Sequence, residues 1–239
     1  MERPARMKTI GILGGMSDQA TAEYYRLINA GVNRRLGGWD IAETLIAGCN
    51  FGNIEYYVHN GFWDEAGEYL ADKARSLERA GADLLVCVSN TAHRVADRFC
   101  AGLQIPFLHI ADPTGAAIRA AGLSRAALLG TKTTMSAPFL RDYYGSKFGL
   151  EITVPAEEVQ AQVDRIIWNE LVHGETSPES KEAVLRICDG LQSAGAEGVI
   201  LGCTELFLLV SQADRPGFPM FDTTCLHVAA IVEAALSTT

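Results

Sequence analysis

The chain has 239 residues, which is enough for two small α/β domains or one larger domain. Its hydrophobic fraction of 48% allows a substantial core and argues against intrinsic disorder. The formal net charge is −9 with acidic residues spread along the chain, which argues against a nucleic-acid-binding surface, because such a surface needs a basic stripe.

The predicted elements alternate between short apolar runs and longer helical patterns. In chain order, the apolar runs predict strands at Thr9–Leu13, Ala42–Ala47, Asp83–Val88, Phe107–Ile110, Ala126–Leu129, Glu151–Val154, Gly198–Leu201 and Met220–Phe221. Between them, helices are predicted at Thr21–Leu36, Trp63–Ala80, Pro178–Ala194 and Thr224–Leu236. Continuous apolar strands separated by helices indicate an α/β fold with parallel sheets that are covered on both faces.

A weak internal duplication divides the chain in two. The tetrapeptides that begin at Ala80 and Ala194 precede the strands that reach Ser89 and Cys203, so both pairs are 114 residues apart. Two copies of one α/β unit predict two similar lobes with a pseudo-twofold relation, the first formed by 1–112 and 222–239 and the second by 113–221. Because ligands of such sheets bind beyond the carboxyl ends of the strands, we expect the active site in the cleft between the lobes.

Polar clusters follow the two duplicated strands. Ser89, Asn90 and Thr91 come after the first strand, and Cys203 and Thr204 come after the second. If each strand leads into a helix, free backbone N–H groups and the helix dipole there favour an anion, which predicts a lowered pKa for the thiol of Cys203. Asn and Thr side chains can donate hydrogen bonds to a substrate carboxylate as it gains enolate-like charge. An inert buried thiol is the alternative for Cys203, but its place in a duplicated cluster favours chemistry.

Further candidates lie in loops. Glycine N–H groups in the loop after the first strand, and threonine hydroxyls in its counterpart in the second half, suit a carboxylate, although a tight turn or a helix cap would use the same residues. Asn50, Lys132 and Arg94 are the nearest candidates to bind an acidic substrate side chain. His93 either caps, positions or shuttles a proton, or it bonds a neighbouring loop. The predicted substrate-binding residues are Gly15, Met16, Ser17, Asn50, Asn90, Thr91, Thr131, Thr133, Thr134, Glu170 and Thr204.

The six cysteines form no CxxC pair and no zinc-type spacing with histidine, so no metal site is predicted. The sequence contains neither a signal-peptide pattern nor an apolar run long enough for a membrane span, which predicts a cytoplasmic protein without a membrane partner. Residues Met1–Arg6 are interpreted as an extension ahead of a second possible start at Met7.

The ordered motifs together resemble the aspartate/glutamate racemase family, in its aspartate-racemase branch. They cover nearly the whole chain from Met7, and they are Gly-Ile-Leu-Gly-Gly-Met-Ser at 11–17, Asn90–His93, His109–Asp112, Gly130-Thr131 with Thr134-Met135, Leu201–Glu205, and Phe221–Thr224 with His227. The resemblance implies a two-lobed α/β fold, no pyridoxal phosphate, no metal, an amino-acid or other small carboxylate substrate, and commonly a homodimer. It also implies a two-base mechanism, in which one cysteine takes the α-proton and another returns a proton to the opposite face.

The chain departs from the family pattern at the first of these cysteines, which aligns with Ser89. A serine hydroxyl is far less acidic than a thiol and is a poor resting base. Cys203 is therefore expected to be the main acid/base, with Ser89 in the opposite position, in a racemase of aspartate and/or glutamate. Two alternatives stay open: a one-cysteine decarboxylase or isomerase of a small dicarboxylate, similar to the arylmalonate decarboxylases, and a binding homologue that has lost the chemistry.

Overall fold

A computed structural model of the chain describes residues 7–237, so the predicted extension Met1–Arg6 lies outside the described residues. By its internal contacts the chain divides into two compact units. The first comprises Met1–Val88, Val95–His109 and Val228–Thr239, and the second comprises Ser89–Arg94 and Ile110–His227.

These units differ from the predicted lobes at three short segments. Residues 89–94, 110–112 and 222–227 were assigned to the first lobe from the sequence but make their contacts within the second unit. The packing explains two of these differences, since Ala111 and Leu226 join an apolar cluster with Leu128 and Ile200 of the second sheet. The division into 1–112 with 222–239 and 113–221 stays a prediction for how the lobes fold.

The first unit is built on a four-stranded parallel sheet in the order β2-β1-β3-β4. Its strands are β1 (Ile10–Gly14), β2 (Thr44–Gly48), β3 (Leu84–Cys87) and β4 (Phe107–Leu108). Its helices are α1 (Asp18–Leu36), α2 (Phe51–Asn60), α3 (Trp63–Arg79) and α4 (Ala96–Phe99). A 3₁₀ turn at Thr91–Val95 precedes α4.

The core of the first unit lies between α1 and the sheet. Tyr24, Ile28 and Val32 recur every four residues along α1, so they share one face of the helix, and all three are fully buried. They pack in one cluster with Ile10 and Ile12 of β1. Burying this stripe against the strands is what fixes α1 on the sheet and leaves the loops at the carboxyl ends of the strands open to other roles.

The second unit repeats the same strand order, β6-β5-β7-β8, again all parallel. Its strands are β5 (Arg125–Leu129), β6 (Glu151–Thr153), β7 (Val199–Leu201) and β8 (Met220–Asp222). Its helices are α5 (Ala111–Ala120), α6 (Lys132–Ser136), α7 (Phe139–Phe148), α8 (Glu157–Asn169) and α9 (Pro178–Ser193), while α10 (Thr223–Leu236) ends in the first unit. Further 3₁₀ turns lie at Leu171–His173, Leu206–Leu208 and Gln212–Asp214.

Two parallel four-stranded sheets flanked by helices confirm the predicted fold class. Because both sheets have their strands in the same order, the repeated α/β unit inferred from the 114-residue offset is present in the backbone as well. The pseudo-twofold relation and the position of the site stay predictions. Within residues 7–237 no helix combines the length and apolar character that a membrane span requires.

Candidate functional site

Cys203 lies two residues beyond the end of β7, at the carboxyl edge of the second sheet. Gly202, just before it, donates its N–H to the carbonyl of Leu129 at 2.6 Å. A Cβ on Gly202 would lie 2.7 Å from that same oxygen, so only glycine fits this close approach of the two strand ends. This close approach therefore fixes the position of the Cys203 backbone. The side chain of Cys203 is only 7% exposed.

The thiol of Cys203 has a carboxylate partner. Its Sγ donates to Oε2 of Glu205 at 3.1 Å, and the hydroxyl of Thr204 donates to the same oxygen at 2.8 Å. Glu205 is itself 3% exposed. A buried carboxylate next to a buried thiol is a ready acceptor for the thiol proton. Sequence reasoning gave Glu205 no role, because nothing in a Cys-Thr-Glu string shows that the third side chain turns inward.

The expected lowering of the pKa of Cys203 is wrong. Burial raises the pKa of this thiol well above its usual value, and the neighbouring Glu205 carboxylate raises it further. Hydrogen bonds from the backbone N–H groups of Glu205 and Leu206 act in the opposite direction but are outweighed. The predicted helix after the strand is only a 3₁₀ turn, Leu206–Leu208, so the helix dipole that the expectation relied on is nearly absent. The resting form of Cys203 is therefore a thiol that is hydrogen-bonded to a carboxylate.

Ser89 opens the other duplicated cluster and belongs to the second unit, as Cys203 does. It is 8% exposed, and its Oγ accepts a hydrogen bond from the N–H of Ala92 at 3.3 Å. The 3₁₀ turn Thr91–Val95 follows in place of the expected α-helix. The hydroxyl thus stands at the start of a short turn, where it receives one backbone hydrogen bond and keeps its own proton to donate.

His93 holds this segment in place. Its Nε2 accepts the N–H of Ile110 at 3.1 Å, so the ring proton is assigned to Nδ1, which donates to the carbonyl of Ser89 at 2.8 Å. Burial lowers the pKa of His93 to about 4. Of the two interpretations of His93, the geometry favours a neutral side chain that joins two backbone segments over a proton shuttle.

Asn90 connects the same segment to the strand that leads to Cys203. Its Nδ2 donates to Oγ1 of Thr223 at 3.0 Å, and that hydroxyl donates to the carbonyl of Leu201 at 2.8 Å. Within the described residues, the other side-chain atom of Asn90, Oδ1, is buried and accepts no hydrogen bond. Leaving a buried acceptor unpaired costs roughly 1–3 kcal/mol, so Oδ1 is a candidate atom for binding a substrate donor.

Three of the predicted threonines form a triangle of hydroxyls. Oγ1 of Thr91 lies 3.0 Å from Oγ1 of Thr131 and 3.1 Å from Oγ1 of Thr134, and the last two are 3.0 Å apart. Thr131 also caps α6, because its Oγ1 accepts the N–H of Thr134 at 3.2 Å. Thr133 lies half-buried in the same helical turn. The structure therefore brings Thr91, Thr131 and Thr134 together, as a cluster that also serves as a helix cap.

Four predicted residues lie in the first unit, at the carboxyl ends of β1 and β2. Gly15 has φ +80° and donates its N–H to Oγ1 of Thr21 at 2.8 Å, and Met16 after it is buried. Ser17 caps α1 by accepting the N–H of Ala20, and the side chain of Asn50 caps α2. Turn and cap roles are thus what the described contacts show for Gly15, Ser17 and Asn50, and contact of the four residues with a substrate stays a prediction.

Glu170 lies at the end of α8. Its carboxylate accepts the hydroxyl of Ser177 at 3.0 Å and that of Ser180 at 2.6 Å, and these bonds connect α8 to the start of α9. Lys132, a candidate for an acidic substrate side chain, lies 3.5 Å from the carboxylate of Glu157 and is exposed. Roles of Glu170 and Lys132 toward a substrate stay predictions.

Comparisons with known proteins identify the family of the chain. The sequence profile described as Asp/Glu/Hydantoin racemase matches residues 13–231. A Yersinia pestis structure described as a candidate Asp/Glu racemase is 40% identical, with a TM-score of 0.88 over 97% of this chain and 100% of that one. An aspartate racemase homologue from Pyrococcus horikoshii OT3 is 35% identical, with a TM-score of 0.82 over 97% and 100%. The broad specificity amino-acid racemase RacX of Bacillus subtilis (strain 168) is 24% identical over 95% of this chain and 98% of that protein.

Proposed function

The chain belongs to the Asp/Glu/hydantoin racemase family, and we propose that it is a cofactor-independent amino-acid racemase acting on aspartate and/or glutamate. The observation that carries the proposal is the buried pair of Cys203 and Glu205, whose 3.1 Å hydrogen bond is a built path for one proton. A positioned side chain with a proton acceptor beside it is suited to proton transfer at a substrate α-carbon. The proposal includes a cytoplasmic homodimer that interconverts L- and D-amino acids.

In the proposed reaction, Cys203 is the main acid/base. As substrate binds, Glu205 accepts the proton from Sγ along the existing hydrogen bond, and the N–H groups of Glu205 and Leu206 stabilise the thiolate. The thiolate then takes the α-proton, and the electron pair left on the α-carbon is delocalised into the substrate carboxylate. Cys203 is again a thiol at this point, now carrying the proton that came from the substrate.

Ser89 supplies a proton to the opposite face of the substrate α-carbon. Its hydroxyl, or a water that it orients, donates a proton to the carbanion, and solvent then restores the serine proton while Glu205 releases its own proton to solvent. Because the hydroxyl is a much weaker acid than a thiol, this transfer is the harder of the two. Because the two enantiomers are equal in energy, kcat/KM is the same in both directions, and the Ser89 step limits both. Exchange of the α-proton with solvent is expected to be faster from the enantiomer whose α-proton faces Cys203.

Substrate binding is assigned to the polar groups around these two residues. Oδ1 of Asn90, buried and without a hydrogen bond among the described residues, is suited to accept one from the substrate ammonium. The hydroxyls of Thr91, Thr131 and Thr134 are suited to donate to the substrate carboxylate and to the negative charge that develops on it. Since His93 is neutral, it adds no competing cation beside Ser89.

Exchange of the α-proton with solvent deuterium tests the reaction directly. Incubation in heavy water with a panel of L- and D-amino acids, followed by NMR, should show loss of the α-proton signal for aspartate or glutamate. Cys203→Ala should abolish the exchange, whereas Cys225→Ala, at an exposed cysteine, should leave it unchanged. Ser89→Cys should accelerate racemisation in both directions. No exchange with any amino acid would refute the proposal.

A one-cysteine decarboxylase is the second candidate, and the raised pKa of Cys203 favours it. A resting thiol is already the proton donor that a carbanion needs after carbon dioxide leaves a malonate-type substrate. Release of carbon dioxide from an aryl- or alkylmalonate, without α-proton exchange in any amino acid, would select this reaction over racemisation.

A further inference from the structure

The loop between α1 and β2 presents a tryptophan to solvent on a rigid support. Trp39 is 99% exposed. Gly37 and Gly38 turn the chain with φ +80° and +57°, and the side chain of Asn33 donates to the carbonyls of Gly38 and Asp40, each at 3.0 Å. A fully exposed tryptophan on a loop that is tied down in this way is already in the conformation that a partner would bind.

Exposed apolar side chains also occur on the elements that adjoin Trp39, namely α1, the α1–β2 loop and β2. We treat them as one surface. This β2-edge patch consists of Tyr25 (42% exposed), Leu36 (48%), Trp39, Ile41 (54%) and Ile46 (45%). The helix and the strand are joined beside it, since Oδ1 of Asn29 accepts the N–H of Ala42 at 3.0 Å. The five side chains expose on the order of 600 Å² of apolar surface, at the upper limit of what a monomer leaves open.

The backbone of the same strand is also open on one side. β2 is the edge strand of its sheet, and the N–H of Cys49 bonds to the carbonyl of Gly14 at 2.9 Å. Because N–H directions alternate along a strand, those of Thr44, Ile46 and Gly48 point away from β1. Native proteins cover or charge such edges, and β2 itself contains no charged side chain that would repel another strand.

We infer that the β2-edge patch is the interface of a homodimer in which the β2 strands of two copies pair antiparallel across a twofold axis. The same residues then meet on both sides, as an isologous contact requires. Antiparallel pairing brings the Trp39 loop, before the start of β2, to the far end of β2 in the second copy. Two exposed tyrosines are expected near that far end. Tyr25 precedes Asn29 by one turn of α1, and Tyr56 (54% exposed) lies on α2, which follows β2.

The area of the patch favours a second copy as the occupant, and the charge around it disfavours the anionic alternatives. The patch, the strand backbone and Tyr56 together approach the ~800 Å² per partner of a standard interface. Asp40 and Glu43 border the patch and the net charge of the chain is −9, so an anionic membrane or a nucleic acid is disfavoured. The inference rests on the proposed homodimer and deepens it by naming its surface.

The full chain is measured by sedimentation velocity over a dilution series, together with amide hydrogen exchange at concentrations above and below dimer dissociation. Trp39→Ala is expected to raise the dimer dissociation constant at least ~30-fold, as loss of an interface hot spot does. Ile46→Lys should give a monomer at all concentrations. Leu208→Ala, at an apolar side chain that is 43% exposed in the second unit, is the matched control and should leave the dimer intact.

In the wild type, the outward amides of Thr44, Ile46 and Gly48 should be protected in the dimer and should exchange after dilution, whereas those of Leu45 and Ala47 face β1 and should not respond. A dimer that survives both Trp39→Ala and Ile46→Lys, or one whose outward amides exchange freely, overturns the proposed surface alone. A monomeric wild type overturns the surface and the homodimer together, and so does a monomer that uses the patch to bind anionic vesicles. Exchange of substrate α-protons in the same samples is read separately, so failure of the reaction is not mistaken for failure of the interface.

Discussion

Replacing Glu205 by glutamine removes the proposed proton acceptor of Cys203 while keeping the size of the side chain and an oxygen for the Thr204 hydroxyl. General-base assistance contributes roughly 10²–10⁴-fold to proton transfer, so we expect α-proton exchange to slow by about that factor. The pKa of Cys203 should move the other way. The carboxylate raises it in the wild type, so its removal should lower the pKa and make the thiol ionise more readily.

The variant is therefore expected to be a slower catalyst with a more reactive thiol, a combination that general damage to the site would not produce. Alkylation of Cys203 across a pH series, followed at the level of its peptide by mass spectrometry, reports the pKa separately from the other five cysteines. Glu182→Gln, at a surface ion pair with Arg186, controls for the lost charge. Exchange at the wild-type rate in Glu205→Gln would refute the assigned role of Glu205, and an unchanged alkylation profile would refute the electrostatic reasoning.

Three further predictions concern the support of the site. The pKa of His93 is about 4 in the folded chain against 6.5 normally, so below pH 6.5 the unfolded chain binds more protons and stability falls as pH drops toward 4. By urea titration the loss should approach about 3 kcal/mol and should shrink in His93→Gln; an equal slope in both proteins would contradict it. Gly15→Ala combines a positive φ with overlap of its Cβ on the backbone of Cys49, and it should lower the unfolding free energy well beyond the ~1–2 kcal/mol expected of Gly61→Ala, where φ is also positive but space is open. Thr223→Val leaves Nδ2 of Asn90 and the carbonyl of Leu201 without their bridging hydroxyl. We expect the unfolding free energy to fall by about 1–3 kcal/mol in the same titration and α-proton exchange to slow. An unchanged unfolding free energy would show that this bridge does not stabilise the fold.

The sheets were predictable because the sequences of their strands are continuous apolar runs. β1, β3, β5 and β7 are buried on both faces by helices, and only apolar residues satisfy that position. The two turns that follow β3 and β7 were harder to predict. A single 3₁₀ turn such as Thr91–Val95 is too short to show a helical period, and the polar residues after each strand were expected at the start of a helix.

The positions of some candidate residues could be predicted from the sequence, but their burial and contacts could not. Thr131 and Thr134 lie together because both belong to the turn that follows β5, as residues after one strand end should. Thr91 follows β3 of the other sheet, so its contacts with these two residues depend on tertiary structure and were not predictable from the strand pattern. The sign of the pKa shift at Cys203 depends on how deeply the thiol and Glu205 are buried, and burial of a polar side chain after a strand is a tertiary property. Likewise the sequence left the role of His93 open, because its two ring contacts, at Ser89 and Ile110, join segments 21 residues apart.

The triangle of threonine hydroxyls has a property that fixed dipoles lack. Each hydroxyl carries one proton, and either oxygen can act as donor in the contacts of Thr91 with Thr131 and Thr134. The third contact is directed, because the hydroxyl of Thr131 donates to that of Thr134. With the Thr131 proton used there, the hydroxyls of Thr91 and Thr134 can turn their protons either within the triangle or toward a ligand. A ligand group placed beside the triangle can thus meet a donor or an acceptor without movement of any heavy atom.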